Sequence, residues 1–340
     1  MIQENLAFIT SPLQLMNLRE FCESKSINKE TFQIVLKYSK NPISAQSLER
    51  EIARDKENWG AIFTIPNTKK FLHSRAITRK LQSRAWLLLV SGEINSWWQN
   101  VIAANISYKK RVIIDDGTMT VFDYHTRLTD GFTFNKSKVV KNLALKAMGL
   151  TPPSFHQERV TLFTIFPLPP TEHVKIEKNE LTFFKTTLHS SDYKKTKKPS
   201  LCTAFIGQPL TMEGLISEQE YIDVISDFAK KFDEKCIYFP HRSEHPGTLS
   251  KINDIDGIEV AEHGAPIEKV IGSNDSMYQA IGGIYSTALF TLHILCPKTP
   301  IYFYPISQLK TASEKLVERV TVIETYLLQQ DNTIACSWKS

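Results

Sequence analysis

Short apolar runs alternate with segments of helical periodicity along the first part of the chain. Residues 11–22 open with Ser-Pro, a typical helix start, and repeat apolar side chains at helical spacing, so we predict a helix there. Helices are also predicted at residues 44–58 and 94–105. We interpret the apolar runs as strands at residues 6–10, 32–38, 60–65, 85–92 and 110–117. Strands that are apolar on both faces and alternate with helices indicate a parallel sheet covered on both sides.

This alternation is interrupted over residues 118–198, which lack a clear helical period and which we interpret as the end of one domain, additional strands and a connector. It returns from residue 200, with a capping box that opens a helix at 217–232 and a terminal helix at 311–330. Strands are predicted at 200–207, 235–241, 257–262 and 299–305, a helical turn at 266–271, and a strand edge leading into a helix at 282–295.

The two alternating halves predict an α/β chain with two Rossmann-like, doubly wound domains that face each other across a cleft, the GT-B architecture. We place the first domain at residues 1–190 and the second at 191–320. Residues 321–340 are interpreted as a C-terminal helix and tail, with packing back on the first domain as an option. Ligands of doubly wound sheets bind beyond the carboxyl ends of the strands, so the chemistry is expected in the loops that follow the strands.

Composition and charge narrow the range of partners. The 340 residues are 42% hydrophobic, enough for two domains with their own cores. A net charge of +5 is too weak to indicate nucleic-acid binding without a clustered patch. Small basic clusters at 69–80 and 194–198 are interpreted as solvated faces, with contact to an anionic membrane surface or substrate as the alternative.

The cysteines and the N-terminal sequence bear on location. The five cysteines are dispersed without a CxxC pair, which favours reduced thiols in a cytoplasmic protein. The start of the chain lacks the pattern of a signal peptide, and the most apolar window, residues 85–90, is too short to span a bilayer. We therefore expect a cytoplasmic protein, with peripheral membrane association as an open alternative.

Asp115, Asp116 and Gly117 lie at the end of the last predicted strand of the first half. Adjacent carboxylates there can hold a metal, act as a base or cap a turn, and the glycine lets the backbone turn sharply. The pair does not have the DxD spacing of a metal clamp on a nucleotide diphosphate. Ser11 and Gln14 follow the first strand, which makes them candidates for the same cleft.

The strand-end loops of the second half offer groups suited to a phosphate. Gly207 and Gln208 have backbone N–H groups that could cradle a phosphate, or they form a plain tight turn. His241 and Arg242 follow the next strand, where a histidine can act as donor or acid toward a leaving phosphate, or simply belong to a polar surface loop. His245 lies four residues further on.

Three further candidates fall at predicted helix starts. Ser286 and Thr287 either cap a helix or bind a phosphate, and Glu268 either caps a helix turn or bridges ribose hydroxyls. The sequence has no GxGxxG, GxxxxGK[ST], HExxH or GxSxG motif. Hydride transfer, P-loop hydrolysis, zinc proteolysis and α/β-hydrolase chemistry therefore have no support.

Six short motifs occur in a recognisable order: FITSPLQLMN, IIDDGT, FIGQPL, YFPHRSE, GAPIE and YSTAL. Over residues 5–305 this order resembles bacterial sialyltransferases of the polysialyltransferase and lipooligosaccharide sialyltransferase type. The resemblance implies the GT-B fold and an inverting, metal-independent transfer of sialic acid, or a related nonulosonic acid, from a CMP-sugar to a glycan hydroxyl. It implies a capsule or lipooligosaccharide as acceptor, and no cofactor beyond the CMP-sugar substrate.

The resemblance also implies residue roles in the first domain, which it makes the acceptor-binding domain. The motif of two carboxylates and a glycine supplies the general base, with Asp116 favoured and Asp115 as its alternate. Ser11, Gln14 and Gly117 are assigned to the acceptor side of the cleft.

In the second domain the resemblance implies donor binding. His241 would lie beside the donor phosphate, Ser286 and Thr287 would bind that phosphate, and Glu268 would lie near the cytidine. Gly207, Gln208 and Arg242 complete this set. One departure matters, because the family has His-Pro where this chain has His-Arg; a literal His-Pro follows at 245–246, so His245 stays the alternate acid.

Two other functions stay open at this point. One is a non-catalytic protein that binds a nucleotide or glycan within a capsule-assembly complex, and the other is a GT-B transferase that uses a nucleoside diphosphate sugar. Peripheral association with the inner membrane or with capsule-assembly machinery is a further expectation. Trp97, Trp98, Tyr124 and His125 are weighed as an acceptor surface, against core packing for the tryptophans.

Overall fold

A computed structural model of the chain describes residues 4–66, 70–134, 139–153, 155–157, 159–190, 201–262 and 266–337. The basic residues predicted to cluster at 194–198, together with Lys69, lie outside the described residues. The chain divides into two compact units, Met1–Phe183 and Phe184–Ser340. The domain limits expected from the sequence, and the packing of the C-terminal tail, stay predictions.

The first unit contains a parallel sheet and a two-stranded antiparallel sheet. Its strands are β1 (Asn5–Ile9), β2 (Phe32–Leu36), β3 (Ala61–Thr64), β4 (Ala85–Ser91), β5 (Ser107–Ile114), β6 (Phe132–Phe134), β7 (Phe155–Gln157), β8 (Val160–Thr164) and β9 (Val174–Lys178). Its helices are α1 (Pro12–Ser24), α2 (Pro42–Ala53), α3 (Lys70–Leu81), α4 (Trp97–Ala103), α5 (Met119–Asp123) and α6 (Val139–Ala147), and α7 (Thr182–Ser190) begins at its end. The parallel sheet has the order β3-β2-β1-β4-β5-β8-β9.

The second unit repeats this architecture with one parallel sheet. Its strands are β10 (Cys202–Ile206), β11 (Cys236–Phe239), β12 (Ile258–Val260), β13 (Tyr278–Gly283), β14 (Ile301–Phe303) and β15 (Thr333–Ala335). Its helices are α8 (Glu218–Ala229), α9 (Pro246–Asn253), α10 (Ile267–Gly272), α11 (Thr287–Leu295) and α12 (Glu314–Leu327). The sheet order is β12-β11-β10-β13-β14-β15.

Both sheets reverse their direction of growth beside their first strand. The chain adds strands outward on one side of β1, then returns to add β4 on the other side, and it does the same around β10 with β13. In doubly wound sheets such a switch point opens a crevice beyond the carboxyl ends of the strands. The predicted α/β class with two doubly wound units is therefore confirmed.

The central strands form because they are apolar on both faces and buried on both faces. Every residue of β1, β2, β8 and β10 is buried, as expected for strands covered by helices on both sides. Helices α3 and α9 and strand β15 were not predicted. Helices α5, α6 and α7 were not predicted either, since they lie in residues 118–198, where we expected additional strands and a connector. Strand β15 depends on tertiary context, because it pairs in parallel with β14 at the edge of the sheet, whereas α9 has a local start, the N-cap His245 followed by Pro246.

Two of the aromatic residues weighed as an acceptor surface belong to the interior. Trp98 is 5% exposed and packs edge-on against Phe8, with ring centroids 5.3 Å apart. The Tyr124 hydroxyl is anchored as well, because it donates a hydrogen bond to the Pro169 carbonyl at 2.6 Å. Among the helices that the structure describes, none combines the length and apolar character needed to cross a bilayer.

Candidate functional site

Asp115 lies at the carboxyl end of β5 and is enclosed by protein. It is 1% exposed, and both carboxylate oxygens accept hydrogen bonds: Oδ1 from the Thr164 hydroxyl at 2.6 Å and Oδ2 from the Ile165 N–H at 2.8 Å. Its backbone carbonyl accepts a hydrogen bond from the Asn17 side chain at 3.1 Å. Asp115 therefore links the end of β5 to the end of β8 and to α1.

Asp116 is the more accessible of the two carboxylates. Its side chain is partly exposed, and Oδ1 accepts a hydrogen bond of 2.7 Å from the Gln14 amide group. The Asp116 N–H donates to the Thr120 hydroxyl at 2.9 Å, and Gly117 has a positive φ of 70°. The glycine is needed there, because this backbone conformation is strained for a residue with a side chain. The turn thus fixes Asp116 while Asp115 faces inward.

Gln14 is held at both ends of its amide. Its Oε1 accepts hydrogen bonds from the Thr10 N–H at 2.8 Å and the Thr10 hydroxyl at 3.1 Å, which leaves Nε2 to donate to Asp116. Ser11 caps α1 and accepts a hydrogen bond from the Gln14 N–H at 3.2 Å. Because β1 and β4 flank the switch point of this sheet, Gln14 spans the place where ligands of this fold bind.

The environment raises the pKa values of both carboxyls. Burial raises the pKa of Asp115 to about 7, against the lowering effect of its hydrogen bonds from Thr164 and Ile165. Burial also raises the pKa of Asp116, against the lowering effect of the hydrogen bond from Gln14. A carboxylate with a raised pKa accepts a proton more readily near neutral pH, which suits a general base.

Gly92, directly after β4, makes room for the Gln14 side chain. A Cβ atom at this position would lie 2.7 Å from Gln14 Cγ and Cδ, closer than such atoms approach. We expect Gly92→Ala to displace the amide and to lower kcat about tenfold, the effect of losing a hydrogen bond to a charged group. Turnover and melting temperature should be measured for Gly92→Ala and for Gln14→Ala, because the second variant removes the same contact without crowding. Full activity in both variants would rule out this role for Gln14.

In the second unit, Gly207 and Gln208 lie directly after β10. The Gly207 N–H donates to the Phe239 carbonyl at 2.8 Å, and the Gln208 N–H donates to the Tyr221 hydroxyl at 2.7 Å. Gln208 Oε1 accepts a hydrogen bond from the Tyr285 N–H at 3.1 Å. Both N–H groups therefore have internal acceptors, and the Gln208 side chain joins the loops on either side of the second switch point.

Glu244 belongs to the loop that follows β11, and its side chain is buried. It accepts short hydrogen bonds from the Tyr238 hydroxyl and from the His241 N–H, and the Tyr238 hydroxyl is 2.9 Å from that of Tyr221. Burial raises the pKa of Glu244 to about 7. A Cβ atom on Gly207 would lie 2.5 Å from both Glu244 Oε2 and the Tyr238 hydroxyl, so this network requires a glycine at that position.

His241 lies in this loop with one ring nitrogen already engaged. Its Nδ1 accepts a hydrogen bond from the Ser243 N–H at 3.2 Å, so a neutral ring carries its proton on Nε2. Burial, with a smaller contribution from the Arg242 charge, lowers the pKa of His241 to about 4. Without a ligand the ring is therefore a neutral hydrogen-bond donor, and Arg242 beside it is exposed.

His245 occupies a different position from His241. It is the N-cap of α9, and its Nδ1 accepts a hydrogen bond from the Gly247 N–H at 3.0 Å. The His-Pro pair that matches the family motif by letter thus starts a helix, where proline is favoured at the first position.

The remaining predicted donor residues lie at helix starts, as expected. Ser286 is the N-cap of α11, its hydroxyl accepts a hydrogen bond from the Ala288 N–H at 3.2 Å, and Thr287 is the first helical residue. Both side chains are partly exposed. Glu268 lies in the first turn of α10. Among the described residues, no three His, Cys, Asp or Glu side chains are grouped to hold a metal ion.

Sequence reasoning missed four residues that shape these loops: Gly92, Thr164, Tyr221 and Glu244. Glu244 had a detectable signal, because it is an acid three residues after His241 in a strand-end loop. The others had none, since each acts on a partner distant in sequence.

A family model for alpha-2,8-polysialyltransferase matches residues 5–304 of the sequence. The chain belongs to this family. It is accordingly a glycosyltransferase, and the resemblance carried by the six motifs is confirmed. None of the curated protein sequences matches the chain.

Solved structures share the fold of this polysialyltransferase family member at low sequence identity. An alpha/beta-galactoside alpha-2,3-sialyltransferase from Photobacterium phosphoreum is 13% identical, with a TM-score of 0.52 and 98% of each chain covered. A UDP-GlcNAc 2-epimerase from Methanocaldococcus jannaschii is 9% identical, with a TM-score of 0.57, 94% of this chain and 92% of that chain covered. The GT-B domain of a sialyltransferase from Photobacterium damselae is 12% identical, with a TM-score of 0.49, 98% of this chain and all of that chain covered. The fold is GT-B; an epimerase and a sialyltransferase share it, so fold alone does not define the reaction.

Proposed function

We propose that this glycosyltransferase moves sialic acid, or a related nonulosonic acid, from a CMP-activated donor to a hydroxyl group of a surface glycan. The observation that carries this proposal is the Asp116 carboxylate, partly exposed and held by Gln14 beyond β5. Membership of the alpha-2,8-polysialyltransferase family supports the sialic acid donor. A single displacement by the activated hydroxyl would invert the configuration at the anomeric carbon.

In this proposal Asp116 is the general base and Asp115 is a positioning residue. Both oxygens of Asp115 already accept hydrogen bonds inside the protein, so it has little capacity to meet an acceptor hydroxyl. Asp116 is accessible, and its raised pKa favours proton uptake from the acceptor. Ser11 and Gly117 act indirectly, through the orientation of Gln14 and of the turn.

In the second unit, we assign donor binding to the loops around the switch point. The Ser286 and Thr287 hydroxyls and the N-terminus of α11 are suited to the single phosphate of a CMP-sugar. His241 would donate Nε2–H to the same phosphate, and an arriving anion would raise the low pKa of this ring. Gly207 and Gln208 shape the loop, Glu268 would bind the cytidine portion, and Arg242 would add positive charge.

The proposed transfer uses no metal ion and no cofactor. One phosphate carries less charge than a diphosphate, and hydroxyls, a helix N-terminus and a histidine are groups that stabilise such a leaving anion. We further propose a capsule or lipooligosaccharide glycan as the acceptor.

A nucleotide panel tests the donor class. We expect CMP and CDP to raise the melting temperature, and UDP and GDP to leave it unchanged, because only a ligand that binds the native state stabilises it. Ser286→Ala together with Thr287→Ala should reduce the CMP shift. Stabilisation by UDP or GDP instead would favour a transferase that uses a nucleoside diphosphate sugar.

A further inference from the structure

Helix α1 carries three buried polar side chains in one row. Gln14, Asn17 and Glu20 are 0%, 1% and 2% exposed. Residues three apart on a helix are neighbours on its surface, so the three side chains follow one another along one face. Buried polar groups are costly unless they make hydrogen bonds, and Gln14 already holds Asp116. The partners of Asn17 and Glu20 therefore indicate what this polar row does.

Asn17 belongs to a closed ring of hydrogen bonds around the carboxyl ends of β5, β8 and β9. Its Nδ2 donates to the Asp115 carbonyl at 3.1 Å, and its Oδ1 accepts a hydrogen bond from Asn179 Nδ2 at 3.0 Å. The Asn179 N–H donates to the Thr164 carbonyl at 2.8 Å, and the Thr164 hydroxyl donates to Asp115 Oδ1 at 2.6 Å. All four residues are buried. The ring therefore fixes both the backbone and the side chain of Asp115.

Asn179 also holds a residue with a strained backbone. Leu181 has a positive φ of 52°, which is an outlier for a side chain of this size, and it is fully buried. Its N–H donates to Asn179 Oδ1 at 3.0 Å. Strained backbone persists only where the surrounding structure holds it, and it is concentrated at functional sites. The two ends of the Asn179 amide thus tie this strained residue to the ring.

The third residue of the row holds the start of α7. Glu20 Oε2 accepts a hydrogen bond of 3.1 Å from the N–H of Phe183, in the first turn of that helix. Phe183 is the last residue of the first unit, so α7 carries the chain from the first unit into the second. The polar row of α1 therefore connects the turn that carries Asp116 with the segment where the chain leaves the first unit.

We infer that Asn17 and Asn179 are positioning residues for the general base. Asp116 is the next residue after Asp115, so a shift of the Asp115 backbone would move the carboxylate that meets the acceptor hydroxyl. A displacement of about 1 Å in a catalytic group can cost about 10²-fold in rate. This inference rests on the proposed role of Asp116, and it adds two buried residues that act through it.

Transfer kinetics of Asn17→Ala and Asn179→Ala test the inference. Each substitution opens the ring, so we expect kcat to fall about tenfold to 10²-fold. The KM for CMP-sialic acid and the thermal shift by CMP should be nearly unchanged, because the proposed donor loops belong to the second unit. The control is Asn5→Ala at the amino end of β1, where Asn5 is 2% exposed and donates to the Thr31 hydroxyl at 2.9 Å. The control should lower the melting temperature and leave kcat unchanged.

A double-mutant cycle with Asp116→Asn separates positioning from general destabilisation. If Asn17 acts through Asp116, Asn17→Ala should lower kcat in the wild type and have little further effect beside Asp116→Asn. An equal fall in both backgrounds would overturn the inference. Should Asn17→Ala fail to fold, Asn179→Ala provides the same cycle.

The same variants distinguish failure of this inference from failure of the proposed function. A large loss of kcat in Asp116→Asn, with unchanged kcat in folded Asn17→Ala and Asn179→Ala, would overturn only the role of the ring. Full activity of Asp116→Asn would overturn the assignment of the base itself, and the positioning role with it.

Discussion

Asp116→Asn is expected to lower kcat for sialic acid transfer by about 10²–10⁴-fold, the usual contribution of a positioned general base. The substitution keeps an oxygen that can accept the Gln14 hydrogen bond, so the fold and the thermal shift with CMP should be retained. The measurement is the initial rate of CMP release with acceptor present, together with the melting temperature.

Asp115→Asn is the matched control for this prediction. Its new amide N–H group would face a hydrogen-bond donor, either the Thr164 hydroxyl or the Ile165 N–H, and should cost about 1–3 kcal/mol of stability. Its effect on turnover should be clearly smaller than that of Asp116→Asn. If Asp115→Asn is folded but inactive while Asp116→Asn works, the two roles are reversed.

The rate of transfer is expected to fall at low pH. A general base must be deprotonated, so kcat/KM should fall as pH decreases through the pKa of Asp116. Burial raises this pKa, and the acid limb should therefore lie above the ordinary aspartate value of about 3.9. The residual activity of Asp116→Asn should lack this limb.

His241→Ala is expected to lower kcat by about 10²-fold or more, because in the proposed reaction the ring would donate a hydrogen bond to the departing phosphate. His245→Ala should instead lose the cap of α9, at about 1 kcal/mol of stability, with kcat nearly unchanged. Measuring kcat and the melting temperature of both variants distinguishes the two roles. An inactive His245→Ala beside an active His241→Ala would assign the acid to the literal His-Pro motif.

Glu244 supports the proposed choice of His241 over His245 as the acid. It holds the His241 backbone through a hydrogen bond and binds Tyr238, so the loop after β11 has a fixed shape. Glu244→Gln should therefore change the pH profile and kcat of His241-dependent transfer more than the affinity for CMP.

Local patterns were sufficient to predict the central strands of both parallel sheets and the strand-end loops. Apolar runs fix buried parallel strands, and parallel strands bring their carboxyl-end loops to one edge, so Asp116 and Ser286 could be located from the sequence. Interactions between distant segments were not visible. The burial of Asp115 depends on Thr164 in another strand, and the hold on Asp116 depends on the space above Gly92. The hydrogen bond from the Gln208 N–H to the Tyr221 hydroxyl also joins separate segments, so the sequence did not predict it.

The proposed transfer is tested most directly by an assay of the wild-type chain with CMP-sialic acid and a panel of glycan acceptors, in the presence of a chelator. We expect acceptor-dependent release of CMP and a sialylated product, at a rate that the chelator leaves unchanged. Tight binding of CMP without product from any CMP-sugar, or activity that disappears with the chelator, would contradict the proposed function.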